Sequence, residues 1–145
     1  ALVIRTVNQR TLKKLSTIYK MNLKTQYMSP SLQDQAEEFR GAYNLVVTGK
    51  NGRPTQKSLI DEEWSEFHEA YHHEPEENQL KELADLVYVC YQFAASQDWD
   101  LDEAMRRVHK SNMSKLDEDG NPIYRADGKV LKGPGYAPPT LIDLI

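Results

Sequence analysis

Cysteine is nearly missing from this chain of 145 residues: Cys90 stands alone, so no internal disulfide can staple the fold. Its place inside an apolar run marks it as a packed, inert thiol, and so thiol-poor a chain fits a reducing cytoplasm, or a host cytoplasm if the sequence is virus-encoded. Long apolar runs are missing too. None approaches the roughly 20 residues that a membrane helix needs, and the start, Ala1 to Arg5, is too short for the apolar region of a signal peptide. Nor is there an excess of basic charge. Against 22 acidic residues stand 18 Lys and Arg, for a net −4, which argues against nucleic acid and anionic membranes as partners. A phosphate-bearing partner would have to be held by something else, and a divalent cation is the obvious candidate. Internal repeats, a Walker A loop and a Nudix-type glycine pattern are also absent. Asp117-Glu118-Asp119-Gly120 is no EF-hand loop, because its glycine comes too early and no glutamate closes it.

What the chain does have is helical periodicity. Leu12, Leu15 and Ile18 suggest a short helix within Asn8 to Lys20. Ser31 with Asp34 reads as a capping box opening a helix with the stripe Leu32, Ala36, Phe39 and Tyr43. Thr48 to Pro54 is dense in turn formers and is expected to be a loop. A helix should follow from about Lys57 to Tyr71, with Ile60, Trp64, Phe67 and Tyr71 facing inward, and Pro75 marks its end. Asn78 to Gln97 is apolar almost all round, the pattern of a central, buried helix. Trp64 and Tyr88 are expected in the core. Asp100 with Glu103 reads as another capping box, opening a helix with the stripe Leu101, Met105, Val108 and Asn112. From Asp117 onward turn signals dominate, and Ile123 to Arg125 and Lys129 to Leu131 could pair across Asp127-Gly128.

Carboxylates carry the chemical signal. Glu63 and Glu66 are three apart, as are Glu82 and Asp85, so each pair shares one helix face. A turn at Pro75 makes the two helices antiparallel neighbours, so the pairs can oppose each other. Glu82 and Asp85 lie among Leu83, Ala84, Leu86 and Val87, with Lys81 as the nearby basic residue. Burying like charges without partners costs several kcal/mol each. An all-oxygen set of this kind is what magnesium takes, with manganese able to substitute.

Glu62-Glu63-Trp64-Ser65-Glu66 followed by Glu82-Leu83-Ala84-Asp85 resembles the EExxE…ExxD pattern of the MazG-like all-α nucleoside triphosphate pyrophosphohydrolases, relatives of phosphoribosyl-ATP pyrophosphohydrolase and the dimeric dUTPases. Ser111-Asn112-Met113-Ser114-Lys115, with the tail segments Pro122 to Arg125, Asp127 to Val130 and Lys132 to Pro134, is similar to a phage and bacterial subgroup. The likeness runs from about Leu32 to Pro139. It implies metal ligands at Glu63, Glu66, Glu82 and Asp85, with Glu62 as an outer-shell residue or water-orienting base. It implies release of pyrophosphate from a nucleoside triphosphate, with purine deoxynucleotides such as dGTP favoured. Asn112 and Lys115 continue the stripe of the last helix and, with the family pattern, are expected to bind phosphate or sugar; Arg125, Lys129 and Lys132 could close over the triphosphate.

His68-Glu69-Ala70-Tyr71-His72 matches the zinc-protease motif HExxH, but the histidines fall beside the apolar stripe and no third ligand is identifiable, so a solvated face explains them. The expected architecture is an all-α bundle of four main helices in one domain over 1–145, with an N-terminal extension (1–28) and a turn-rich C-terminal arm (117–145). It is expected to be completed as a homodimer or homotetramer. Hydrolysis of phosphoribosyl-ATP or of a guanosine polyphosphate alarmone is the alternative activity. A helical interaction module with an acidic surface is the non-enzymatic alternative.

Overall fold

Reciprocal hydrogen bonds at Ser31 open the first helix. Ser31 Oγ accepts from the Asp34 amide (3.1 Å) and the Asp34 carboxylate accepts from the Ser31 amide (2.9 Å), the capping box expected there. A computed structural model describes residues 29–145; the helix expected within Asn8 to Lys20 lies outside the described residues. From Ser31 on, the chain forms one compact unit. It contains α1 (Leu32–Ala42), α2 (Gly49–His73), α3 (Glu76–Ser96), α4 (Leu101–Met113) and a closing 3-10 turn, Ile142–Leu144. The architecture is an all-α bundle.

α2 begins earlier than expected. Gly49 to Pro54 form its first turns, with Pro54 inside the helix. Local propensity opposes this start, and tertiary bonds override it. The Thr48 amide donates to the Ser96 carbonyl (2.9 Å), and Arg53 Nε donates to Gln97 Oε1 (2.7 Å). The Arg53 guanidinium also lies over the Trp99 ring, 5.0 Å from its centroid. Gly52 is required, because a Cβ there would sit 1.8 Å from Thr48 Oγ1.

Glu74 and Pro75 turn the chain between α2 and α3, which form an antiparallel hairpin with the most extensive packing among the described elements. Ala36 of α1 meets Tyr91 and Ala95 of α3 in the core, with Leu101 packed against them. Burial in α3 is confined to its C-terminal half, Tyr91 to Ser96. Its N-terminal half departs from the expectation of a wholly buried helix: Leu80, Leu83 and Val87 are exposed, and with Leu32 and Tyr88 they line an apolar groove of about 400 Å³. Of the inward stripe expected on α2, Ile60 and Phe67 are half-buried while Trp64 and Tyr71 are exposed, and Tyr88 is only partly covered. α2 instead buries Ala70 completely.

Asp100 caps α4 by accepting from the Glu103 amide (2.8 Å), whereas the Glu103 carboxylate pairs with Arg106 and Arg107 and leaves the box half-formed. Met105 and Asn112 are exposed, and the buried residue of α4 is Ser111. The tail decides this facing. Arg107 donates to the Thr140 carbonyl (2.8 Å) and grips Asp143 with two bonds of 2.6 and 2.8 Å. The Gly133 amide donates to the Lys115 carbonyl (2.8 Å), and the Ala137 amide donates to Ser114 Oγ (3.0 Å). Before that, Tyr124 and Val130 form the expected bridge across Asp127-Gly128, where Gly128 takes φ +84°.

Candidate metal and catalytic centre

Glu63 lies on the α2 face turned to α3, in phase with Gln56 and Ala70, which are seven residues away on either side. In the antiparallel hairpin that face meets the α3 turn carrying Glu82. Glu63, Glu66 and Glu82 bring carboxylate oxygens within 4.8 Å of one another. Glu63 and Glu82 are half-buried and Glu66 is exposed, so the cluster forms a wall with one open side. Glu63 Oε2 and Glu82 Oε2 are both shut off from solvent with no hydrogen-bond partner. An ionised oxygen left in that state is costly. Burial holds the Glu63 carboxyl above its ordinary range; Glu66, Asp85 and Glu82 push it further, while Lys81 pulls it back.

Asp85 is near enough to act on Glu63 but stands outside the group of three. Its carboxylate is bonded to Lys81 Nζ at 2.9 Å, and the same ammonium reaches Glu82 Oε1, also at 2.9 Å. Both partners raise the Lys81 pKa. Glu62 is exposed.

The other candidates lie apart from these bonds. Asn112 is exposed and Lys115 half-buried at the end of α4, where the Lys115 carbonyl anchors Gly133. Arg125 pairs with Asp127 in its own hairpin, Lys132 lies over the Tyr136 ring at 4.4 Å, and Lys129 is exposed. His68 and His72 stack edge to face at 4.7 Å on the surface of α2. Among the described residues, the acidic triad is the group able to hold a metal.

Gln56 is what the sequence reading missed: its Oε1 is also buried without a partner. Its seven-residue spacing from Glu63 was the available signal.

The donor set is all carboxylate oxygen, with two buried lone-pair sites unfilled, which fits a hard divalent cation. A family model described as phosphoribosyl-ATP pyrophosphohydrolase matches residues 33–112, more than half of the chain, from α1 to the end of α4. No curated protein matches the chain.

Proposed function

The chain belongs to the phosphoribosyl-ATP pyrophosphohydrolase family, within the MazG-like superfamily, and is a pyrophosphohydrolase; we propose that it hydrolyses a nucleoside or deoxynucleoside triphosphate to the monophosphate and pyrophosphate, with magnesium as cofactor. The observation that carries this reading is the pair of buried, unpartnered oxygens, Glu63 Oε2 and Glu82 Oε2, beside Glu66. Glu63, Glu66 and Glu82 would hold the cation, and Asp85 would complete the set. Magnesium, or manganese in its place, would neutralise phosphate charge and acidify the attacking water.

The chain's own groups supply the rest. Glu62, exposed beside Glu63, orients the attacking water and accepts its proton at a carboxylate oxygen. Asn112 and Lys115 at the end of α4 bind phosphate or sugar. Arg125, Lys129 and Lys132 on the arm at 117–145 neutralise the triphosphate. Assembly as a homodimer or homotetramer is part of the proposal. The exposed Trp64, Tyr71, Leu80, Leu83 and Val87 support it, being more apolar surface than four helices of one chain cover. Purine deoxynucleotides such as dGTP are the favoured class, on the likeness of the Ser111 to Lys115 segment to the phage and bacterial subgroup. Phosphoribosyl-ATP is the second reading, favoured by the description of the matching family.

One substrate panel tests both. The chain is incubated with magnesium and dGTP, other nucleoside triphosphates or phosphoribosyl-ATP, and the products are separated by ion exchange. Monophosphate with intact pyrophosphate is expected, and the highest kcat/KM identifies the substrate class. Accumulation of diphosphate with orthophosphate would overturn the assignment.

A further inference from the structure

Lys81 is bonded to two of the four carboxylates that the metal reading invokes. Its ammonium meets Glu82 Oε1 and Asp85 Oδ2, each at 2.9 Å. The other oxygen of Glu82, Oε2, points away from solvent and has no partner. Glu82 thus has one oxygen held by the lysine and one left over. Asp85 also has one oxygen, Oδ2, on the lysine, but unlike Glu82 it is not among the three that gather within 4.8 Å.

From this division, and resting on the metal reading above, we propose that Lys81 is a positioning residue: a built-in counter-ion that holds Asp85 Oδ2 outside the Glu63–Glu66–Glu82 cluster and must let go before that oxygen can serve as a fourth ligand. A cation held by Glu63, Glu66 and the free oxygen of Glu82, Oε2, would leave both lysine bonds intact. Ligation through Asp85 Oδ2, the oxygen the lysine holds, breaks one of them. The lysine is suited to releasing its partner, because its side chain is 62% exposed and sits on a flexible four-carbon stem. An exposed ion pair of this kind biases an equilibrium by only about two- to fivefold, so a divalent ion can displace it. It also offsets the mutual repulsion of the carboxylates while no metal is bound.

The test is calorimetric titration of manganese, without nucleotide, into the full chain and four variants. Lys81→Gln removes the counter-ion and should tighten manganese binding about threefold or more. Lys81→Arg keeps the charge and should bind within about twofold of wild type. Adding Asp85→Asn to Lys81→Gln should erase the gain. Lys57→Gln is the charge control: its lysine pairs with Asp61 one turn apart and forms no ion pair with the clustered glutamates, and its loss should change affinity by less than about twofold. Unchanged affinity in Lys81→Gln overturns the proposal. So does a gain that survives Asp85→Asn, or an equal gain in Lys57→Gln, which would reduce the effect to net charge. If wild type binds manganese and Lys81→Gln behaves like it, this proposal fails alone. If wild type binds none, the metal reading fails with it.

Discussion

The two ends of the α2–α3 hairpin are built on opposite principles. At the end near Ser96, polar groups bond one another across the helices, with Gln56 Oε1 and Gln92 Oε1 left over: Thr48 bonds Ser96, Arg53 bonds Gln97, Gln97 Nε2 donates to Ser96 Oγ (2.9 Å), and that hydroxyl donates to the Phe93 carbonyl (2.7 Å). Ala94, Ala95, Ser96 and Gln97 are buried there. At the end near Pro75, three glutamates converge, two of their oxygens are buried with no partner, and large apolar residues face outward. One helix pair thus holds the fold at one end and gathers unpartnered carboxylate oxygens at the other. The difference separates residues whose loss should weaken the fold from residues whose loss should weaken function alone.

The largest effect should come from Glu82→Gln. It keeps the shape and removes one converging charge, so turnover should fall by more than about a hundredfold, the scale of losing a preorganised electrostatic partner. The metal-free variant should melt no lower than wild type, and the thermal gain of wild type on adding magnesium or manganese should largely vanish. Pyrophosphate release and melting curves with and without metal measure all three. A variant that keeps its activity and its metal response would erase the contrast between the two ends.

Arg53→Ala tests the stitched end. It leaves Gln97 Oε1 without its donor and removes the cation from the Trp99 ring, at a cost of about 2 kcal/mol on the scale of an unsatisfied buried acceptor. Urea unfolding should show that loss, while manganese affinity measured by calorimetry should stay within about twofold of wild type. Loss of metal binding without loss of stability would reverse the assignment of the two ends.

The smallest effect concerns pH. Because burial and neighbouring carboxylates raise the Glu63 pKa, the folded state holds that proton more tightly than the unfolded chain does. Its contribution to metal-free stability is therefore fully present below the ordinary glutamate value of 4.5 and is lost as pH rises through the raised folded value. Glu63→Gln should be the more stable protein at pH 7 without metal, and the two urea midpoints should converge near pH 4. Parallel pH profiles would show that Glu63 is an ordinary solvated carboxylate.

Much of this was legible wherever the chemistry is local. Ser31 and Asp34 cap α1, Asp100 caps α4, Pro75 divides the hairpin, and Asp127-Gly128 turns the arm, each through bonds within a few residues of sequence. The spacing of Glu63 and Glu66, and the place of Glu82 on the next helix, likewise set their helix faces from local sequence, and the structure gathers those three. Asp85 shares the spacing but is held by Lys81, so spacing did not settle its partner.

Three features were fixed only in the folded chain. α2 starts at Gly49, against its own turn-rich composition, because Ser96, Gln97 and Trp99 are remote in sequence yet bond that segment. α4 turns Ser111 inward and Met105 outward because the tail, anchored by Arg107 to Asp143, lies along that helix. Trp64, Tyr71 and Leu80 stay exposed because a hydrophobic stripe specifies that a face should be covered and not what covers it. The sequence by itself determined the helices, their breaks and the carboxylate faces, since each depends on neighbours along the chain. The tertiary structure decided which carboxylate oxygens lost both water and partner, since that depends on atoms brought together from both helices.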